Sequence, residues 1–170
     1  MGDENEDENP LITVCKCSGS MKFIHCECLR DWVLTKRTVR HMPYSVIVIY
    51  KVTKCELCQQ LLPDSVKAQG QKFRIYDYFS GVPAFDHYVV MEVLGTQHTR
   101  SFQIVFFDKK RALSIGRGHE SDIQIADISV SRKHSLISYL PEKDHIILQD
   151  TNSKFGTLTL LQAPLKLKPG

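Results

Sequence analysis

All six cysteines of this 170-residue chain lie between positions 15 and 58. They occur in VCKCSGSMKFIHCECLRDW and, further on, in KCELCQQLLP. Zinc takes thiolate sulfur and imidazole nitrogen in a tetrahedron. Two ligands from one short loop fix half of such a site at little cost in chain entropy. Cys15 and Cys17 can supply one half of a site, and Cys55 and Cys58 the other. His25 and Cys28 can supply half of a second site. Pairs placed on either side of another pair point to an interleaved fold with two zinc ions. Cys26, between His25 and Cys28, reads as a small packed residue, with recruitment as a ligand the alternative. The N-terminus is acidic, with no apolar h-region behind it, so no secretory signal is read. A reducing compartment is therefore expected, in which thiols hold metal rather than pair as disulfides.

The confinement of cysteine to one stretch suggests two domains. From Tyr88 onward the pattern changes to short β-prone runs: YVVMEVL, SFQIVFF, ALSIG, DIQI, HSLISYL, HIILQD and TLTLL. Turn clusters such as RGHESD, PEKD and NSKFG separate them. Strands at this spacing indicate an all-β sandwich with its loops gathered at the ends. YSVIVIYKV, residues 44–52, also reads as a strand, and GQKFRIYDYF, residues 70–79, as a connector that packs the domains together or as a further strand. No run of eighteen apolar residues occurs, so no helix long and apolar enough to cross a membrane is expected.

Charge supports an anionic partner. The first ten residues, MGDENEDENP, carry five acids and no base, while the whole chain has 22 bases against 19 acids. The body that follows is therefore distinctly basic, which suits a phosphopeptide, nucleic acid or an acidic protein face. Nucleic acid is disfavoured because the aromatics do not alternate with the bases as a stacking platform requires. In SIGRGHESDIQIADISVSRKHS, Arg117 projects a guanidinium suited to bidentate phosphate binding. Gly116 before it permits a backbone geometry that a side chain would resist. Ser131 offers a hydroxyl, and Arg132 and Lys154 add cations on neighbouring loops. His134 can tie one loop to another. No serine–histidine–acid set, P-loop or dinucleotide fingerprint appears, so no self-contained catalytic site is expected.

The first half, NPLITVCKCSGSMKFIHCECLRDW with KCELC, resembles the RING-CH (RING-variant) zinc finger of membrane-associated ubiquitin ligases over residues 9–63. The resemblance implies a small, cross-braced α/β finger. It places Cys15, Cys17, Cys55 and Cys58 on one complete zinc and assigns His25 and Cys28 to a second zinc. That second site needs ligands from outside this sequence, because the family's first Cys-x-x-Cys pair is missing. The pair lies upstream of these residues, or it has been lost. Trp32 matches the family's aromatic contact to the ubiquitin-conjugating enzyme, and core packing is an equal reading of it. Pro63 approximates the family's proline near the last ligand pair. A finger lacking its first pair is expected to be a weak or inactive RING-type E3 ubiquitin-protein ligase.

The second half, with GRGHESDI, SVSRKHS and DTNSKFGT, resembles the forkhead-associated (FHA) domain, a phosphothreonine-binding β-sandwich, over residues 88–170. The resemblance implies that Arg117 and Ser131 contact phosphate and that Arg132 and Lys154 support the phosphate or the peptide. Gly116, Ser121, His134 and Gly156 would brace and shape the loops. Phe155 stands where the family has an asparagine that holds the peptide backbone. It cannot make that bond, and either packs against the peptide or fills the sandwich end.

The expected organisation is thus a zinc finger over 1–63, a connector over 64–87 and an FHA domain over 88–170 lacking its last strand, in a chain cut at both ends. A finger followed by an FHA domain resembles a family of soluble proteins abundant in ciliates. The expected function is a phosphothreonine-binding adaptor acting as, or within, an E3 ubiquitin ligase. Its partners would be a phosphothreonine protein and a ubiquitin-conjugating enzyme, without membrane or nucleic acid. The alternative is a non-catalytic scaffold in a cytoskeletal or ciliary assembly. A cytoplasmic location is expected, with nuclear or ciliary association open.

Overall fold

The computed structural model describes residues 9–51, 54–94 and 99–160. The acidic start and the terminal LQAPLKLKPG lie outside them. Two compact units divide between Phe106 and Phe107.

The first unit opens with β1 (Leu11–Ile12), antiparallel to β2 (Ile24–His25). The loop between them carries Cys15 and Cys17 and a single 3-10 turn at Gly19–Lys22. Helix α1 (Cys26–Thr35) follows β2 directly. It buries Cys26, Leu29 and Val33, one stripe at helical spacing. Its first amides are satisfied from far upstream. The Glu27 N–H donates to Asn9 Oδ1 at 2.9 Å, and the Cys26 N–H to the Pro10 carbonyl at 3.1 Å.

Strands β3 (Arg37–His41), β4 (Ser45–Tyr50), β7 (Tyr88–Val93) and β8 (Arg100–Phe106) form an antiparallel sheet in the order β3-β4-β8-β7. β5 (Ser65–Ala68) and β6 (Gln71–Arg74) form a separate hairpin. Its two-residue turn is Gln69–Gly70, with φ of 50° and 76°. Positive φ at both central residues is what a type I′ turn requires, and it twists with the strands it joins. β4 reads SVIVIY and is interior to its sheet. Its β-branched side chains meet protein on both faces, as a central strand demands. Val46, Val48, Tyr50, Phe102 and Ile104 bury against Val33 of α1 and against Ile75 and Tyr76.

Two expectations meet a different structure here. Residues 64–87, read as a connector, contain the β5–β6 hairpin and two buried core side chains of the unit, Ile75 and Tyr76. Residues 88–106, read as the opening strands of the second domain, lie in the sheet of the first unit. Val48 faces Phe102 and Val46 faces Ile104 across the β4–β8 ladder. Phe102, Ile104, Val105 and Phe106 all bury, so SFQIVF behaves as an interior strand and takes β4 as its partner.

The second unit is built on β9 (Ala112–Gly116), β10 (Ile123–Gln124), β11 (Ser135–Leu140) and β12 (His145–Asp150), in the order β10-β9-β11-β12. The β9–β10 pair is parallel and the others antiparallel, so the sheet is mixed. Burial alternates along β11, where Ser135, Ile137 and Tyr139 point inward. Of the expected TLTLL strand, residues 157–160 are outside any strand, and Leu161 lies beyond the described residues. Among the described residues, no helix is long and apolar enough to cross a membrane.

Candidate functional site

In the first unit, the β1–β2 loop and the Lys54–Leu61 knuckle bring four sulfurs together. The Sγ atoms of Cys15, Cys17, Cys55 and Cys58 all lie within 4.8 Å of one another. Cys17 and Cys55 stand 3.8 Å apart. A tetrahedron of roughly 2.3 Å zinc–sulfur bonds has edges of about 3.8 Å, so the donor set fits zinc in both chemistry and size. The knuckle is shaped by its own backbone. Gln59 N–H donates to the Cys55 carbonyl at 3.0 Å, Cys55 N–H donates to the Gln60 carbonyl at 2.9 Å, and Gln59 takes a φ of 59°.

As bare thiols, Cys17 and Cys58 are shifted in opposite directions. The Gln60 backbone N–H lowers Cys58 to about 6, while the hydrogen bond to Cys15 pushes Cys17 up to about 12. Packed sulfurs cannot all ionise together unless a cation offsets their repulsion. His25 and Cys28 stand apart from this cluster, and both are exposed. Cys26 between them is buried in the core, the packed position expected of it.

Trp32 is half-buried on α1, packed against the core. It also lines a cavity of about 310 Å³ with Val14, Met21, Phe23, Leu57 and Leu62, beside Cys15, Cys17 and Cys55. Its packing against the core agrees with the core-packing reading of this tryptophan, and its place in the cavity wall leaves part of the ring facing the groove. Met21 and Leu57 are each 64% exposed, which leaves an apolar groove open to a partner.

In the second unit, Arg117, Ser131, Arg132 and Lys154 line one cavity of about 350 Å³, with no carboxylate among its described lining. The backbone arranges them before any ligand arrives. Arg117 N–H donates to the Ser131 carbonyl and Gly118 N–H to the Arg132 carbonyl, both at 3.0 Å. Arg117 Nε donates to the Val130 carbonyl at 3.2 Å. This holds the guanidinium in place and leaves its terminal nitrogens to donate elsewhere. Ser131 Oγ accepts from the Lys154 N–H at 2.9 Å, so its own hydrogen is available to an anion.

His134 and Ser121 each tie neighbouring loops by hydrogen bonds. His134 Nδ1 accepts from the Ser131 N–H at 3.2 Å, its N–H donates to the Ile115 carbonyl, and its carbonyl accepts from Thr151. Ser121 Oγ donates to the Arg132 carbonyl at 3.1 Å. Asp122, beside it, accepts from the Ser114 N–H, the Ser114 hydroxyl and Lys110. Gly156 has a φ of +74°, a backbone that other residues rarely adopt.

Gly116 is needed for a reason different from the one expected. Its φ is not in the left-handed region. A Cβ placed there would lie 2.1 Å from the Arg132 carbonyl oxygen. The constraint is clearance between two backbones. Gly116→Ala is expected to cost about 1–3 kcal/mol and to displace the Arg132 carbonyl that Gly118 and Ser121 share. Thermal unfolding checks the first effect. Loss of phosphopeptide affinity with Arg117 and Ser131 unchanged checks the second.

Asp150 closes the loop that carries Lys154, and sequence reading missed it. Its carboxylate accepts from the Ser153 hydroxyl at 2.6 Å, the Ser153 N–H at 3.0 Å and the Thr157 hydroxyl at 2.9 Å. These bonds, the Ser153 hydroxyl first, lower its pKa to about 2. The folded value lies below the ordinary value of 3.8. The stabilisation is therefore complete above about pH 4 and is lost as pH falls towards 2. Amide exchange at Ser153 is expected to accelerate over that window and to lose its pH step in Asp150→Asn.

Two family models match the chain. A RING-variant domain matches residues 2–58, and an FHA domain matches residues 113–170. The chain joins a RING-variant finger to an FHA domain. The RING-variant finger is a small α/β zinc fold, and the FHA region is a β-sandwich of which β9–β12 form one mixed sheet. Similar proteins are ubiquitin ligases by name. E3 ubiquitin-protein ligase MARCHF8 of Bos taurus is 49% identical over 35 residues, 21% of this chain and 12% of its own length. E3 ubiquitin-protein ligase MARCHF7 of Mus musculus is 39% identical over 54 residues, 32% of this chain and 7% of its own. The chain thus covers a small fraction of these relatives. No solved structure matches it. FHA is a phosphopeptide-binding domain.

Proposed function

We propose that the chain is a phosphorylation-directed ubiquitin ligase module. Its FHA domain takes a phosphothreonine protein, and its finger holds a ubiquitin-charged conjugating enzyme beside that protein. The observation that carries this reading is the convergence of Arg117, Ser131, Arg132 and Lys154 on one cavity whose described lining is free of carboxylates. The Arg117 fork and the Ser131 hydroxyl would bind phosphate oxygens by charge-assisted bonds. Arg132 and Lys154 would add positive potential on either side.

The finger contributes no covalent chemistry. Cys15, Cys17, Cys55 and Cys58 would hold a zinc ion that fixes the two loops flanking the Trp32 groove. His25 and Cys28 would contribute to a second zinc. The apolar groove of Met21, Phe23, Trp32 and Leu57 supports a role as the docking face for the conjugating enzyme. Transfer runs from the thioester of that enzyme to a lysine amine of the target, and the finger accelerates it by orientation. Tethering the target through phosphate raises its effective concentration at the thioester.

The test is ubiquitin transfer by the native protein to a substrate carrying one phosphothreonine, compared with the same substrate after phosphatase treatment. Transfer should favour the phosphorylated form by at least about tenfold and should collapse in Trp32→Ala. Phosphate-dependent binding without any transfer would favour the scaffold role instead.

A further inference from the structure

The phosphate-reading cavity has two large apolar side chains on its rim that no packing explains. Ile128, in the loop between β10 and β11, is 92% exposed, and Phe155, in the loop after β12, is 63% exposed. Both line the same cavity as Arg117 and Ser131. Single exposed apolar residues are ordinary. Two on separate loops, converging on one cation-lined cavity, are a surface arranged for a ligand with both characters. The exposure of Phe155 also removes one reading of it: it does not fill the end of the sandwich.

Resting on the phosphopeptide reading above, we propose that Ile128 and Phe155 are specificity residues that select a large aliphatic or aromatic side chain close to the phosphorylated residue. The ligand class is then a phosphopeptide with an apolar neighbour, and acidic- or basic-flanked sequences are excluded from it. A cavity of about 350 Å³ has an edge of about 7 Å, the reach of about two extended residues. The apolar neighbour therefore lies within two or three positions of the phosphate.

Three features support an apolar neighbour over a charged one. Phe155 offers no hydrogen-bonding side chain, so it can hold a peptide only by contact. Its ring is already oriented, with Lys154 Nζ standing 5.2 Å from its centroid, a cation–π arrangement. A basic neighbour would face Arg117, Arg132 and Lys154 with no described carboxylate in the lining to offset them. An acidic neighbour would compete with the phosphate for the same three cations, whereas an apolar one uses surface the phosphate leaves free.

The experiment measures affinities of the native protein for matched phosphothreonine peptides. They differ only in whether leucine, alanine or aspartate flanks the phosphothreonine, with unphosphorylated controls. The leucine peptide should bind about tenfold more tightly than the alanine peptide, the effect of burying part of one apolar side chain. In Ile128→Ser/Phe155→Ser that preference should vanish while phosphate dependence remains. Both residues are exposed, so the variant keeps its core. Phosphate-dependent binding that ignores the flank, or favours aspartate, overturns the inference and leaves the phosphopeptide reading standing. Binding that ignores phosphate overturns both.

Discussion

Removing zinc is expected to unfold the first unit and leave the second folded. The four clustered sulfurs hold together two loops, Thr13–Phe23 and Lys54–Leu61, with little secondary structure of their own. Structural zinc contributes about 10–16 kcal/mol in small fingers, as much as the whole stability of a typical domain, about 5–15 kcal/mol. Its loss also leaves four crowded thiols. The second unit has no cysteine and cannot respond directly. Amide exchange after chelation should show protection lost in α1, β1 and β2 and retained in β9, β11 and β12. Cys55→Ser should reproduce the chelated state without chelator. Zinc analysis adds a further reading: if His25 and Cys28 share a second ion in the native protein, His25→Ala lowers the stoichiometry by one. Retention of the first unit's protection after complete zinc removal would show that the sheet core alone sustains it.

Arg117→Ala is expected to weaken phosphopeptide binding by about 10- to 100-fold. Each hydrogen bond to a charged group contributes about 1.5–3 kcal/mol, and each 1.4 kcal/mol is tenfold in affinity. Arg117→Lys should recover only part of the loss, because an ammonium cannot reproduce the planar fork or the Nε bond to the Val130 carbonyl. Arg117 is exposed, so the fold should survive both changes. Calorimetric titration against one phosphothreonine peptide separates the three proteins. Equal affinity of all three would remove the guanidinium from the phosphate site.

The thiol cluster and the cation-lined cavity were legible in the sequence because short local patterns carry their residues. A Cys-x-Cys or Cys-x-x-Cys pair fixes its own geometry, and the structure assembles Cys15, Cys17, Cys55 and Cys58. Arg117, Ser131, Arg132 and Lys154 follow strand ends in loops, and they meet at one cavity. What was illegible is partner choice and clearance. The alternation of SFQIVF announces a strand but not that it lies against SVIVIY, a third of the chain away. Ile75 and Tyr76 are core residues within what reads as a linker, because a short hairpin folds them back. The glycine at 116 reads as a conformational need, and only the position of the Arg132 carbonyl reveals a steric one. The carbonyl that holds Arg117 Nε belongs to Val130, and no side-chain pattern reports a backbone acceptor.

The β4–β8 ladder has a consequence for the order of events during synthesis. β4 emerges from the ribosome at residues 45–50 with an apolar, β-branched edge, and its second neighbour arrives only at residues 100–106. At roughly 5–20 residues per second, that interval lasts several seconds. The β3–β4 hairpin must wait through it with one edge open, and unpaired apolar edges recruit other strands. The zinc loops, by contrast, are complete once Cys58 has emerged. The metal can close its part of the unit early, before the sheet beside it is finished.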